Sequence, residues 1–180
     1  MAKPVITRAI LIALLCGAAP AGAQQILVLS SQCQGSVAHL PTALANLGLS
    51  SVQTSDAASF SAQLTGGTVW DLVLVDEYST NLSAETLAAI GDYAARGGRI
   101  YLNYWALDRV TALSFDAAVG ALPFSTPLAV SLWTSGHPLL TEPNAAETLS
   151  PVLNTCTTDG VRLEPLDGAI ALAGFVAAPT

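Results

Sequence analysis

A doubly wound α/β domain with a mainly parallel sheet is the fold that this sequence predicts. Strand-like and helix-like segments alternate from residue 26 to residue 104, a pattern typical of such sheets. The clearest unit is residues 70–108, where an apolar run, an amphipathic segment and a second apolar run follow one another. The first run has no polar alternation, which favours a strand covered on both faces. We therefore expect helices on both faces of the sheet, a three-layer α/β/α sandwich.

The helix between the two runs has clear ends in the sequence. Ser83 is a suitable N-cap, and Leu82 and Leu87 have the spacing of a hydrophobic staple. Gly97 is placed to end the helix in the left-handed conformation. Since a parallel crossover is right-handed, the residues after both strands are expected at the same edge of the sheet.

Weaker signals predict the elements on either side of this unit. Strands are expected at 26–29 and 51–54, with a helix at 58–64. Apolar residues at helical spacing over 37–47 predict a further helix that is either kinked at Pro41 or begins at Leu40 or Pro41. Beyond residue 108 the predictions are a helix at 114–122, a strand at 128–132, a helix at 145–153 and a strand at 169–175. We expect a single α/β domain over 24–180. No predicted element follows the last strand, so truncation of this domain at its carboxyl end is an alternative to a complete domain.

The first 23 residues have the pattern of a secretory signal peptide. Lys3 and Arg8 precede an apolar run at 9–15, and small residues at 21–23 form a cleavage site before Gln24. A retained membrane anchor is the alternative, but the apolar run is shorter than the ~20 residues that span a bilayer. We expect an exported protein, periplasmic or extracellular, that leaves the membrane after cleavage.

The charge of the mature chain restricts its partners. Without Lys3 and Arg8 the chain has no lysine, and 4 arginines face 13 carboxylates, a net charge of −9. Nucleic acids and anionic membranes both require a dense cationic surface, so neither is an expected partner. Two cysteines remain after cleavage, Cys33 and Cys156, and an even pair in an exported chain predicts one disulfide. Two free thiols are the alternative.

Polar and aromatic residues follow the predicted strands at the carboxyl edge of the sheet, where ligands of doubly wound folds bind. The residues expected to contact a ligand are Ser31, Gln32, Asp76, Glu77, Tyr78, Tyr104, Trp105 and His137. Such a rim is suited to a small hydroxylated molecule or a sugar. We expect Tyr104 and Trp105 to face the ligand, with the indole of Trp105 stacked on it while Asp76 and Glu77 accept hydrogen bonds from its hydroxyl groups. One alternative is that these polar residues only make the strand ends soluble in water and bind nothing. For Trp105, the alternative is that its ring covers the hydrophobic core.

The motifs ILVLSS, WDLVLVDEY, LSAETLAAIGDYAARGGRI and SGHPLL resemble the class I glutamine amidotransferase-like superfamily, especially its noncatalytic and ThuA-like branches. The resemblance covers most of residues 25–175 and implies a flavodoxin-like strand order. True amidotransferases carry a nucleophilic cysteine on a glycine-flanked elbow after the fourth strand. Residues 103–106 read NYWA, so the resemblance does not imply that activity.

Other chemistries have weaker support in the sequence. The third strand resembles that of response-regulator receiver domains, but the acidic pair and the lysine of that family are absent. Loop 30–36 has one glycine, too few for a flavin phosphate loop. A hydrolase triad of Ser30 or Ser31 with His137 and Asp76 lacks a nucleophile elbow. A hard cation held by Asp76, Glu77 and Asp108 is a further alternative, although our prediction includes no metal and no cofactor.

The leading hypothesis is an exported, noncatalytic domain that binds a small polar ligand or sugar, or that acts as a cell-envelope interaction module. The rival hypothesis is a sugar-processing or hydrolytic enzyme of the ThuA-like kind that works without a cysteine nucleophile. The two differ in geometry, because a general acid and base must lie within hydrogen-bond reach of one substrate atom. The relative positions of His137 and Asp76 are therefore informative.

Overall fold

A four-stranded parallel sheet lies at the centre of the described structure. The computed structural model describes residues 24–31, 39–77, 81–104, 106–110, 115–123, 130–142, 145, 159–166 and 168–174. The strands are β1 (Ile26–Ser31), β2 (Val52–Thr54), β3 (Leu72–Glu77) and β4 (Ile100–Tyr104). They pair in the order β2-β1-β3-β4, and every pairing is parallel. The predicted α/β class is confirmed.

Three helices connect these strands, and their ends follow local sequence signals. They are α1 (His39–Asn46), α2 (Ala57–Thr65) and α3 (Ala84–Ala95). The N-cap of α2 is Asp56, whose carboxylate accepts from the Ser59 amide at 2.7 Å. The N-cap of α3 is Ser83, whose hydroxyl accepts from the Thr86 amide. Both caps satisfy backbone donors of the first helical turn.

Helix α1 begins earlier than the sequence suggested. The expected start was Leu40 or Pro41, whereas the helix begins at His39 and has Pro41 within its first turn. A proline is tolerated there because the first amides of a helix have no intrahelical acceptor.

The turn after α3 depends on two glycines for different reasons. Gly97 has a φ of 84°, a backbone conformation that residues with a Cβ rarely adopt. At Gly98 a Cβ would lie 2.3 Å from the ring of Tyr93, so this position needs glycine for space. The Tyr93 hydroxyl donates to the Trp70 carbonyl at 3.1 Å, which ties α3 to the chain entering β3. The predicted Gly97 stop is confirmed.

Apolar side chains form a separate cluster on each face of the sheet. One cluster combines Ile26, Val28 and Leu74 with Leu44 of α1. The other contains alternate residues of the same strands, including Leu29 and Val75, together with residues of α2 and α3. This alternation follows from the two-residue period of a strand and explains why the strands are apolar without interruption.

The later part of the chain forms antiparallel pairs, and one prediction there was wrong. Residues expected to be helical at 114–122 form strand β5 (Phe115–Pro123), which pairs antiparallel with β7 (Asp159–Pro165). The alanines of this segment favour a helix locally, so the long-range pairing with β7 overrides the local preference. The predicted helix at 145–153 lies almost entirely outside the described residues.

A second antiparallel pair joins two short strands, β6 (Ser131–Leu132) and β8 (Ala173–Gly174). They occupy parts of the strands expected at 128–132 and 169–175. Gly174 lies against Trp133, because a Cβ there would be 2.2 Å from the indole ring. A short helix, α4 (Pro138–Thr141), follows β6. None of the helices in the described part of the chain has the length and apolar character needed to cross a membrane.

Candidate functional site

The parallel register aligns polar residues at the carboxyl ends of three neighbouring strands. Ser30 of β1 pairs with Asp76 of β3, which pairs with Asn103 of β4. One residue further along, Ser31, Glu77 and Tyr104 are aligned in the same way. Two parallel rows of side chains therefore cross the end of the sheet.

The two rows face opposite sides of the sheet. Because side chains alternate along a strand, Asp76 lies on the face of Leu74 and Glu77 lies on the face of Val75. Leu74 belongs to the cluster with α1, and Val75 belongs to the cluster with α2 and α3. We call Ser30, Asp76 and Asn103 the α1-side row, and Ser31, Glu77 and Tyr104 the α3-side row. The expectation that Asp76 and Glu77 together accept hydroxyl groups of one ligand is therefore not supported by the strand geometry.

The α3-side row is internally hydrogen-bonded, and two of its three members, Glu77 and Tyr104, are buried while Ser31 is half-buried. The Ser31 hydroxyl donates to Oε1 of Glu77, whose side chain is 1% exposed. Tyr104 is 2% exposed, and its hydroxyl oxygen accepts from the Leu82 amide at 3.1 Å. Tyr104 was expected to present its ring to a ligand, but the ring belongs to the core. Its hydroxyl instead holds the segment before α3.

The α1-side row is the more accessible of the two. Nδ2 of Asn103 donates to Oδ1 of Asp76 at 3.0 Å. Asp76 itself is 5% exposed, whereas Ser30 and Asn103 are half-buried. The hydrogen bond fixes the carboxylate and the amide side by side at the edge of the sheet.

Tyr101 extends this row along β4 and was not among the expected site residues. It pairs with Leu74 and lies two residues before Asn103, so its side chain is on the same face. Its side chain is 45% exposed. The available sequence signal was its two-residue spacing from Asn103, which has meaning only once the strand register is known.

The segment before α3 is held from two sides. Its Leu82 amide is bound by Tyr104, as described above, and its Leu82 carbonyl accepts from Nη2 of Arg109 at 3.2 Å. Arg109 also donates through Nη1 to Oδ1 of Asn81 at 2.9 Å. Arg109 lies in a 3-10 turn, Leu107–Arg109, that follows β4. The chain segments that leave β3 and β4 at this edge are thus tied together.

His137 is the N-cap of α4, and its described hydrogen bonds are all local. Its Nδ1 accepts from the Leu139 amide at 3.2 Å. Its backbone amide donates to Thr134, and its carbonyl accepts from Leu140 and Thr141. With Nδ1 as an acceptor, the neutral ring carries its proton on Nε2. The described contacts give His137 a capping function and do not join it to Asp76.

Several expected site residues lie outside the described part of the chain. They are Gln32, Tyr78, Trp105, Cys33 and Cys156. Their contribution to a ligand site and the disulfide between the two cysteines stay predictions. Within the described residues, no group of three or more His, Cys, Asp or Glu side chains is placed to hold a metal ion.

Comparisons of this chain with family models, with curated proteins and with solved structures found no match. The geometry of the carboxyl edge is therefore the basis for a functional assignment.

Proposed function

We propose that this chain is an exported, noncatalytic binding domain for a small polyhydroxylated ligand such as a sugar, and that the ligand binds to the α1-side row and Tyr101. The observation that carries the proposal is the Asp76–Asn103 hydrogen bond of 3.0 Å, flanked by Ser30 and by the half-exposed ring of Tyr101. This set lies at the carboxyl ends of parallel strands, where doubly wound folds bind ligands.

The chemistry of these side chains matches hydroxyl groups. A carboxylate accepts several hydrogen bonds, and a primary amide offers both donors and an acceptor. Asp76 and Asn103 are held together before any ligand arrives, so less ordering is needed on binding. An aromatic ring such as Tyr101 supplies an apolar surface with a polar tip, which suits the apolar face of a sugar ring.

The α3-side row supports binding over catalysis. Ser31 and Glu77 are hydrogen-bonded, as a nucleophile and its base would be. Glu77 is 1% exposed, however, and Tyr104 beside it is covered by the segment containing Leu82. A base must reach a substrate proton directly or through one water, and burial of Glu77 argues against such access.

The fold proposed for this function is a three-layer, flavodoxin-like sandwich of the glutamine amidotransferase-like kind. The strand order β2-β1-β3-β4 agrees with the flavodoxin-like order. Apolar clusters on both faces of the sheet agree with helices in two outer layers. The sequence motifs named above support the superfamily.

Thermal unfolding in the presence of sugars tests the proposed site. The mature chain is mixed in turn with monosaccharides, disaccharides, sugar alcohols and sugar acids, and a binder raises the melting temperature by mass action. Isothermal titration then measures the affinity of each hit for the wild type and for Tyr101→Ala. We expect Tyr101→Ala to abolish the shift. A panel in which no sugar or polyol raises the melting temperature would contradict the proposed ligand class.

Val69→Ala is the matched control. Val69 is 83% exposed and precedes β3, so it lies at the amino end of the sheet, opposite the proposed site. This variant should keep the full ligand-induced shift. If Tyr101→Ala binds as well as Val69→Ala does, the ligand lies elsewhere and the α1-side row is not the site.

A further inference from the structure

The amino end of β1 is fixed by a reciprocal pair of hydrogen bonds. The Gln25 amide donates to Oδ2 of Asp71 at 2.8 Å. In return, the Asp71 amide donates to the Gln25 carbonyl at 2.8 Å. Gln25 is therefore anchored through both its amide and its carbonyl, and the exposed residue Gln24 comes immediately before it.

Cleavage at the predicted signal-peptide site would make Gln24 the first residue of the mature chain. An amino-terminal glutamine contains both partners of a cyclisation. The α-amine attacks Cδ of the side-chain amide, a new C–N bond forms, and the bond from Cδ to Nε2 breaks. One proton of the amine leaves with the departing group as ammonia. The product is a neutral five-membered lactam, pyroglutamate, and no oxidant or cofactor is consumed.

We propose that Gln24 is a modification site that becomes amino-terminal pyroglutamate, and that Asp71 slows the same reaction in a chain that begins at Gln25. Ring closure at Gln24 involves only atoms of Gln24. The Gln25 amide keeps its proton and can still donate it to Asp71. The 2.8 Å bond to Asp71 is consequently compatible with the modified end.

Gln25 would react differently if it were the first residue. Its α-nitrogen lies against a carboxylate, and an adjacent negative charge favours the protonated amine. A protonated amine has no lone pair with which to attack the side-chain amide. If each glutamine in turn were the first residue, only Gln25 would have its α-amine against Asp71, so its cyclisation would be the slower of the two.

The modification has a chemical consequence at this end of the sheet. The lactam removes the terminal positive charge of an already acidic chain and leaves no free α-amine for an aminopeptidase. It also lies at the amino end of β1, opposite the carboxyl edge where the ligand is proposed. Both proposals assume export, but the modification itself does not report on ligand binding, so a failure to find pyroglutamate on the processed chain leaves the proposed ligand site untouched.

Mass spectrometry of exported protein tests the site. The full chain is secreted from a bacterial host, and its amino-terminal peptide is sequenced after storage at neutral pH. We expect a peptide that begins at residue 24 and is lighter than the unmodified peptide by one ammonia. Gln24→Ala is the control and should begin at residue 24 with a free amine. An unprocessed chain, a different first residue or an unmodified Gln24 would each overturn the proposal.

Deletion of Gln24 tests the protection by Asp71. The mature chain then begins at Gln25, and in the folded protein its cyclisation should be slow. Adding Asp71→Asn should accelerate it roughly two- to fivefold, as expected for the loss of an exposed ion pair. In urea the two chains should cyclise at the same rate. Equal rates in the folded state would show that Asp71 has no protective function.

Discussion

The two rows at the carboxyl edge are built from similar residues but have different environments. Each row takes a serine from β1 and a carboxylate from β3, and the two are displaced by one residue along the strands. In the α3-side row, Glu77 and Tyr104 are almost fully buried. In the α1-side row, Ser30 and Asn103 are half-buried, and the half-exposed Tyr101 lies on the same face. A shift of one residue thus separates a row with two buried members from a row in which only Asp76 is buried.

The largest expected effect is that of Tyr104→Ala. The substitution removes a core ring and leaves the buried Leu82 amide without its acceptor. We expect a loss of about 3 to 5 kcal/mol in the free energy of unfolding, measured by urea denaturation. Tyr104→Phe keeps the ring and removes only the hydroxyl, so it should cost about 1 to 3 kcal/mol. An alanine variant as stable as the wild type would mean that Tyr104 does not support the core.

Ser31→Ala should have an intermediate effect. It removes the hydroxyl that donates to the buried Glu77 carboxylate, and a buried acceptor that loses a donor costs about 1 to 3 kcal/mol. Ser30→Ala is the matched control, since it makes the same change one residue away in the α1-side row. Ser30→Ala should be clearly less destabilising in the same denaturation experiment. Equal losses would show that the two rows do not differ as described.

Tyr101→Ala sharpens the comparison within a single strand. Tyr101 and Tyr104 both belong to β4, but the side chain of Tyr101 is 45% exposed. Its truncation should cost at most about 1 kcal/mol, the range of strand-propensity changes at exposed positions. The same residue change three positions apart should therefore give clearly different unfolding free energies. A Tyr101→Ala loss as large as that of Tyr104→Ala would place Tyr101 in the core.

The central unit was predictable because its signals are local. The start of α3 is set by Ser83 and its end by Gly97, and its apolar face recurs at helical spacing. Each of these signals acts between residues a few positions apart. Strand β5 was not predictable in this way, because its alanines favour a helix locally and its partner β7 lies far along the chain. Local signals therefore defined the parallel sheet but not the antiparallel pairs.

The site was predicted in part for the same reason. The sequence placed Ser31, Asp76, Glu77 and Tyr104 at the carboxyl edge, and the parallel register confirms that placement. It did not separate them into two rows, because the neighbours of Asp76 depend on strand register. Only the register identifies Asn103 as the partner of Asp76 and brings Tyr101 to the same face.

The smallest expected effect is a change in the acid sensitivity of the fold. It concerns Asp56, the exposed N-cap of α2. The amide of Ser59 and then its hydroxyl hold the pKa of Asp56 below its usual value, which is about 3.9. A carboxyl group with a lowered folded-state pKa contributes stability above its unfolded pKa, and that contribution is lost as the pH falls through the folded pKa. Asp56→Ser keeps an N-cap oxygen but cannot titrate. Urea denaturation from pH 6 downward should therefore show a smaller loss of stability for Asp56→Ser than for the wild type. Parallel pH profiles would mean that the Asp56 cap does not contribute to acid sensitivity, and that the acid response comes from other carboxylates of the fold.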